Sequence, residues 1–440
     1  MLVLTFEYGP LRNGGLATAV NALCGALDRQ RFEPVIVLPR SGLTPPWERV
    51  ERFAAPHCEV EVYRGEGCEI WLLANERLDD GVIYPEPADY ACIKKFDDYG
   101  ERIAELLPRM DIDLIHMQDV FGYKCILAAR QLGKPVILTV HRLHYDEPPS
   151  AFAELCAVQL VDHVTTVSHA YLAENPGYFE AARATRVIPN GVDLGFWRPP
   201  AGEGVAQGRP TRRRRLLDRL GLSHRPTFAF IGRLDGEQKG LDVLLEAWPR
   251  ALGEADFNLL VVGEGEEPVR QQVEAAVAAG PADRIRFIHR HCDPAEVREL
   301  LGAVDFVVIP SRYEPFGLIQ LEAMATGAVP VASRTGGLAE VMVEMEEPGG
   351  FGRLFPPGDA AALARVMIDL ARLADTRPES IDRLREAAAA RVEAHSAAVM
   401  ARRYEALYRE ALGAAPTETT NTRDGARDSS GGGHDELRAE

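Results

Sequence analysis

Residues 308–337 read VIPSRYEPFGLIQLEAMATGAVPVASRTGG, and the fold turns on this stretch. It opens as a strand over 305–309, whose apolar run is too continuous for a sheet with one wet face. A turn at Pro310-Ser311 follows, then Glu314-Pro315 and a helix of good formers over 318–325, closed by Gly327. Residues 329–332 form a second short apolar strand, and a Gly-Gly turn at Gly336-Gly337 ends the unit. Strand, turn, helix, strand puts the unusual residues at the carboxyl end of a strand, where open α/β sheets bind ligands.

Two carboxylates stand there as Glu-x7-Glu, Glu314 and Glu322. At helical rise they lie about 12 Å apart along the axis. That is too far to share a proton, but it suits gripping hydroxyls at the two ends of one elongated ligand. The peptide N–H groups of Phe316, Gly317 and Leu318, unpaired at a helix start, point toward any anion between the carboxylates. A sugar nucleotide, with hydroxyls at each end and a diphosphate between, fits this layout. So does a plain capped helix, with Glu314 favouring the dipole and Glu322 on a solvated face.

The 440 residues suffice for two or three domains with substantial cores. A net charge of −17, from 49 basic and 66 acidic side chains, argues against nucleic acid or an anionic membrane as main partner. The seven cysteines are odd in number and lack a Cys-x-x-Cys pair. They read as reduced thiols of a cytosolic protein, with neither a disulfide frame nor a zinc site. A first strand starting at Leu2 leaves no room for a signal peptide, and no apolar run approaches a membrane span.

From the start, a strand over 2–6 runs into a loop with Arg12, Gly14 and Gly15, and a helix follows over 17–27. This construction lets backbone approach a phosphate or sugar, although it is not G-x-G-x-x-G and a plain βα turn reads the same. Further strands are expected over 34–38 and 59–63, with loops and short elements over 64–100. A strand over 112–116 is preceded by Asp111 and Asp113, which read as strand-edge solvation rather than a metal–diphosphate mark. His116, Gln118 and Asp119 come at that strand's carboxyl end, and the strand over 135–140 delivers His141-Arg142 to the same edge. Polar groups at two successive strand ends are site-forming by position. Residues 201–211 read as linker, and the four arginines 212–215 as a solvated helix start. Alternation then restarts with a strand over 227–231, after which Arg233 and Lys239 precede a helix. Both cations are placed to hold a diphosphate near Gly317 and Leu318, Arg as a fork and Lys as a point charge. Two runs of alternation predict two doubly wound α/β sheets with a cleft between facing carboxyl edges.

At this point the sequence resembles the retaining GT-B glycosyltransferases, and among them the glycogen and starch synthases. The similar stretches are RYEPFGLIQLEAMATGAVPVASRTGGLAE, GRLDGEQKGLDVL at 232–244, TTVSHAY at 165–171, IPNGVDLGFWRP at 188–199, TVHRLHY at 139–145 and RNGGLATAV at 12–20. They occur in family order over residues 2–410. The resemblance implies that Arg233 and Lys239 stabilise the diphosphate leaving group. It implies that Glu314 holds donor-sugar hydroxyls, with Phe316, Gly317 and Leu318 supplying N–H groups, and that Glu322 meets the ribose. His141 would lie near the reacting sugar carbon, Asp119 on the acceptor loop, and Arg12, Gly14 and Gly15 beside the phosphates. Three departures stand out: Arg12 where bacterial synthases carry Lys, Glu322 where they often carry an aromatic, and HMQDV without the Trp that often follows the Asp.

The resemblance implies a GT-B fold of two Rossmann-like domains: 1–195 on the acceptor side and 225–395 for the nucleotide sugar. Residues 196–224 would link them, 396–412 would form a helix crossing back, and 413–440 a disordered tail. It implies a retaining, metal-independent, cytoplasmic hexosyltransferase without cofactor. The donor would be ADP-glucose or UDP-glucose and the acceptor an α-glucan or another hydroxyl. A small acceptor (sugar phosphate, lipid or natural product) and a sugar-nucleotide-binding regulator without turnover are the alternatives.

Overall fold

In a computed structural model of the chain, residues 1–11, 14–81, 91–143, 148–199, 205 and 208–413 are described. Nine strands form the first sheet: β1 (Leu2–Leu4), β2 (Val35–Pro39), β3 (Arg49–Ala55), β4 (Cys58–Arg64), β5 (Glu69–Ala74), β6 (Ile115–Gln118), β7 (Val136–Val140), β8 (His163–Thr166) and β9 (Thr185–Val187). Their spatial order is β3-β4-β5-β2-β1-β6-β7-β8-β9, and only β4 runs against the rest. Six strands form the second: β10 (Thr227–Ile231), β11 (Asn258–Val262), β12 (Ile285–Ile288), β13 (Phe306–Ile309), β14 (Val329–Ser333) and β15 (Arg353–Phe355). Their order is β12-β11-β10-β13-β14-β15, all parallel.

The continuous apolar strands are explained by what covers them. Successive side chains point to opposite faces, and both faces are packed. Phe228 and Phe230 enter one cluster while Ala229 enters the other; Phe306 and Val308 part from Val307 and Ile309 in the same way. In the first sheet Leu2 and Leu4 face one cluster and Val3 the other. That second cluster is completed by Met400, Tyr404, Leu407 and Tyr408 of the helix Ala397–Ala411, which crosses back from the far end of the chain.

Four sequence expectations are corrected. Residues 64–100, read as loops and short elements, contain β5 and most of the long helix Ala91–Leu106, and residues 49–55 add the unexpected edge strand β3. β3 is almost wholly exposed, so it lacks the alternation that would mark it. The Gly336-Gly337 pair is no simple turn; it opens the helix Gly336–Val341. The stretch read as linker contains the helix Arg209–Leu220, packed on the second sheet through Leu216 and Leu217. Its arginine run has a structural partner: Arg213 Nε donates to Asp305 Oδ2 at 3.0 Å and Arg385 Nη2 to Oδ1 at 2.8 Å. Burial works to raise Asp305, yet Arg209, Arg213 and Arg385 hold its carboxyl below the ordinary value. The proposed tail beyond residue 413 lies outside the described residues.

Candidate active site

In the second sheet the strand order reverses between β10 and β13, and in the first between β1 and β6. Crevices at such reversals, past the carboxyl ends, are where doubly wound sheets take ligands. Arg233 and Lys239 follow β10, and Glu314 through Leu318 follow β13. Gly14 and Gly15 follow β1, Asp119 follows β6, and His141 follows β7. Each of these predicted groups thus follows the carboxyl end of a strand. Arg12 lies outside the described residues.

The second-sheet edge is drawn together by close backbone packing. Gly240 caps the helix Leu241–Leu252 at φ 64°, and a Cβ there would lie 2.0 Å from Pro310 O. Only glycine permits that approach. It brings Lys239 Nζ to 2.7 Å from Glu314 Oε2, and Ser311 Oγ donates to the same oxygen at 3.2 Å. Gly336 does the like from β14: at φ 44°, its Cβ would sit 2.0 Å from Glu314 O. Arg233 Nη2 donates to Asp235 Oδ2 at 2.9 Å and to Gln238 Oε1 at 2.7 Å, so it stands beside Lys239 in sequence and in space.

Gly317, at φ 96°, caps the helix Leu318–Thr326, and the first turn pairs back from Gln320 N to Gly317 O at 3.0 Å. The N–H groups at 316–318 precede that bond. The Phe316 ring is in the core, so only its backbone faces a ligand. Glu322 is not on a solvated face. It is 8% exposed, in a helix buried nearly all round, and burial pushes its carboxyl up to about 8. Since the helix begins only at Leu318, helical rise covers half of the Glu314–Glu322 interval, and the axial estimate made from sequence does not describe the rest.

On the first-sheet edge Asp119 adopts φ 58° and is 6% exposed. Its Oδ1 accepts from His141 N at 2.7 Å and from Arg142 N at 3.3 Å. Asp119 therefore shapes the turn that carries His141. His141 Nε2 meets Gln118 Oε1 at 2.8 Å, and burial lowers the imidazole to about 4, so the ring is neutral. His116, expected among the site groups, is instead fully buried between Thr139 and Tyr408, and is lowered to about 3. Asp111 and Asp113 lie at the opposite edge, beside the amino terminus of Met1, which burial lowers and their charges only partly restore.

The two edges face each other. Arg142 Nη1 donates to Gln238 Oε1 at 3.2 Å, Ser168 Oγ to Pro315 O at 2.7 Å, and His169 Nδ1 lies 2.9 Å from Glu340 Oε1. The helix Gly15–Ala26, which follows the glycine loop, comes within 8 Å, Cα to Cα, of the helix Leu318–Thr326 that Gly317 caps. Sequence reasoning gave no role to Gln238 or Ser168, and read Gly336 only as part of a turn. Gln238 abuts Lys239, and only its partners across the gap distinguish it.

Comparison with known proteins agrees with this arrangement. Residues 13–196 match the family described as Glycosyltransferase Family 4, and residues 225–372 match Glycosyl transferases group 1. The glycogen synthase of Xanthomonas campestris pv. campestris (strain 8004) is 27% identical over 496 residues, covering 96% of this chain and 100% of that protein. The glycogen synthase of Myxococcus xanthus is 36% identical over 272 residues, 57% of this chain and 54% of its own. Among solved structures, the catalytic domain of starch synthase IV from Arabidopsis thaliana, bound to ADP and acarbose, superposes with a TM-score of 0.81 at 20% identity, covering 94% of this chain and 99% of that one. Sucrose-phosphate synthase from Thermosynechococcus elongatus gives 0.68 at 21% identity, covering 94% and 98%. No helix among the described residues is long and apolar enough to cross a membrane. Both halves of the sequence and the fold are thus matched: the chain carries a Glycosyltransferase Family 4 domain followed by a Glycosyl transferases group 1 domain, in a GT-B fold.

Proposed function

We propose that the protein is a retaining, metal-independent hexosyltransferase that moves glucose from ADP-glucose or UDP-glucose to a hydroxyl of an α-glucan in the cytoplasm. The observation that carries this reading is the contact of Lys239 Nζ with Glu314 Oε2, at 2.7 Å, on the switch-point edge that also bears Arg233 and the N–H groups of residues 316–318. In the transfer the bond from sugar C1 to the diphosphate oxygen breaks, and the nucleoside diphosphate leaves with the electron pair. The acceptor oxygen bonds C1 on the same face, and its proton passes to the departing phosphate. Arg233 and Lys239 neutralise the charge that develops on that phosphate. Glu314 accepts from donor-sugar hydroxyls, Glu322 from the ribose, and neutral His141 stands beside C1. Gly14 and Gly15 line the phosphates. Closure of the two edges keeps water from the donor.

The glucan acceptor draws support from relatives named glycogen synthase. A second reading, a small anionic acceptor such as a sugar phosphate, is favoured by the exposed guanidinium of Arg142 next to His141. Incubation with ADP- and UDP-sugars, with oligosaccharide primers beside small acceptors, tests both. Release of nucleoside diphosphate with a product of retained configuration is expected, and no release with any pair defeats the enzymatic reading.

A further inference from the structure

A chain of buried polar groups runs from His141 to the far end of the protein. His141 Nε2 lies 2.8 Å from Gln118 Oε1. An amide oxygen only accepts, so this ring carries its proton on Nε2 and its lone pair on Nδ1. The amide nitrogen of Gln118 lies 3.1 and 3.2 Å from the two ring nitrogens of His116. His116 Nε2 meets Thr139 Oγ1 at 2.6 Å, and its Nδ1 meets Tyr408 OH at 2.7 Å. Thr139 Oγ1 also meets Thr165 Oγ1 at 2.7 Å and Tyr404 OH at 2.9 Å. Gln118, His116, Thr139, Thr165, Tyr404 and Tyr408 are all buried. Both tyrosines belong to the helix Ala397–Ala411, nearly three hundred residues along the chain from His116.

We propose that Gln118 is a positioning residue for the transfer: its amide holds His141 as the Nε2–H tautomer and is itself held by His116 and the crossover helix. The inference rests on the reading that His141 stands beside the reacting sugar. A neutral imidazole on an otherwise free side chain can turn over and exchange its two tautomers; a buried amide fixed at both ends leaves one arrangement. The lone pair on Nδ1 is then the acceptor that a sugar hydroxyl meets, and the ring reaches the site already oriented. The crossover helix acquires a function beyond covering the sheet, since Tyr408 closes the chain that orients the histidine.

The test uses the full chain labelled with nitrogen-15 histidine, with His141 assigned by its loss in His141→Asn. Wild type should show His141 protonated on Nε2. Gln118→Leu should lose that single tautomer and lower kcat by about tenfold to a hundredfold, while donor KM moves less than about threefold. Gln118→Glu, which keeps an acceptor oxygen, should restore the Nε2–H signal. Thermal melts show whether each variant folds. If Gln118→Leu does not, Tyr408→Phe, which removes only the outermost link, should broaden or split the His141 signal in a folded protein. A wild-type proton on Nδ1, or an unchanged tautomer in folded Gln118→Leu, overturns the proposal. A lost tautomer with unmoved kcat would show that Gln118 holds the ring but would overturn its role in the transfer, whereas absence of any transfer in the wild type would count against the functional reading alone.

Discussion

On the edge of the second sheet the key groups are charged and half open: Lys239 meets Glu314 at 2.7 Å, and Arg233 is tied to Asp235. On the facing edge of the first sheet the group placed beside the sugar is a neutral imidazole, His141, at the end of a buried chain of amide, imidazole and hydroxyl groups. The difference follows from what each edge would hold. A diphosphate brings charge of its own and gains most from cations that can leave one partner for another. A reacting sugar carbon needs fixed, uncharged neighbours, which a low-dielectric network supplies. Several mutations should break or sharpen this contrast.

The largest effect is expected from Lys239→Ala. Removing one donor aimed at a leaving group costs on the order of a hundredfold to a thousandfold in kcat. It also leaves the carboxylate of Glu314, 8% exposed, without its cation. Lys239→Arg should recover only part of the loss, because a planar fork does not replace a point charge. Nucleoside diphosphate release reads both, and full activity in Lys239→Ala would remove charge stabilisation from this edge.

Next comes the backbone. Gly336→Ala places a Cβ 2.0 Å from Glu314 O at a positive φ, and should destabilise the protein by roughly 2–4 kcal/mol. Gly15→Ala on the opposite edge places a Cβ with nothing within 4 Å, at the first residue of a helix, and should be neutral or slightly stabilising. Denaturant midpoints compare the two. Equal losses would mean that both edges depend alike on close backbone approach.

This asymmetry also explains what could be read from the sequence. The second-sheet edge is local: Glu314, Gly317 and Gly336 lie within one stretch, and Arg233 and Lys239 within another, so spacing exposes them. The strand at 227–231 is legible to the residue, because a strand covered on both faces is continuously apolar. The first-sheet edge is assembled from distant segments. Nothing near Gln118 announces Tyr408, and His116 looks like a site histidine until the crossover helix covers it. β3 was hidden for a different reason, since it is exposed; the helix Arg209–Leu220 was legible as a helix start at its arginines, but not its hold on Asp305, which lies far along the chain.

Glu322 offers a pH test that separates burial from pairing. Its folded carboxyl is raised to about 8 from 4.5, so the folded state holds the proton more tightly. Its contribution is therefore intact below the unfolded value and is lost as pH rises toward 8, by up to about 1.4 kcal/mol per pH unit. Glu322→Gln should match wild type near pH 4.5 and exceed it in melting temperature near pH 8, flattening the curve. A variant curve parallel to wild type would show that a cation or water already satisfies this carboxylate.

The smallest effect concerns the contact that joins the edges. Glu340 takes two bonds from the first domain, His169 Nδ1 at 2.9 Å and Ala170 N at 3.0 Å. The helix they begin already has a cap, since Ser168 Oγ accepts from Tyr171 N at 3.0 Å, and the His169 side chain is 74% exposed. Solvent screening should hold His169→Ala to a few tenths of a kcal/mol. Glu340→Ala, which also frees a backbone N–H, should cost about 1 kcal/mol. In a double-mutant cycle read by thermal melts, the coupling should stay near or below about 0.5 kcal/mol. That weakness is what a cleft requires if it opens to admit a donor and closes to exclude water. A coupling several times larger would mean that the edges are clamped by this pair, and closure would have to be sought elsewhere in the fold.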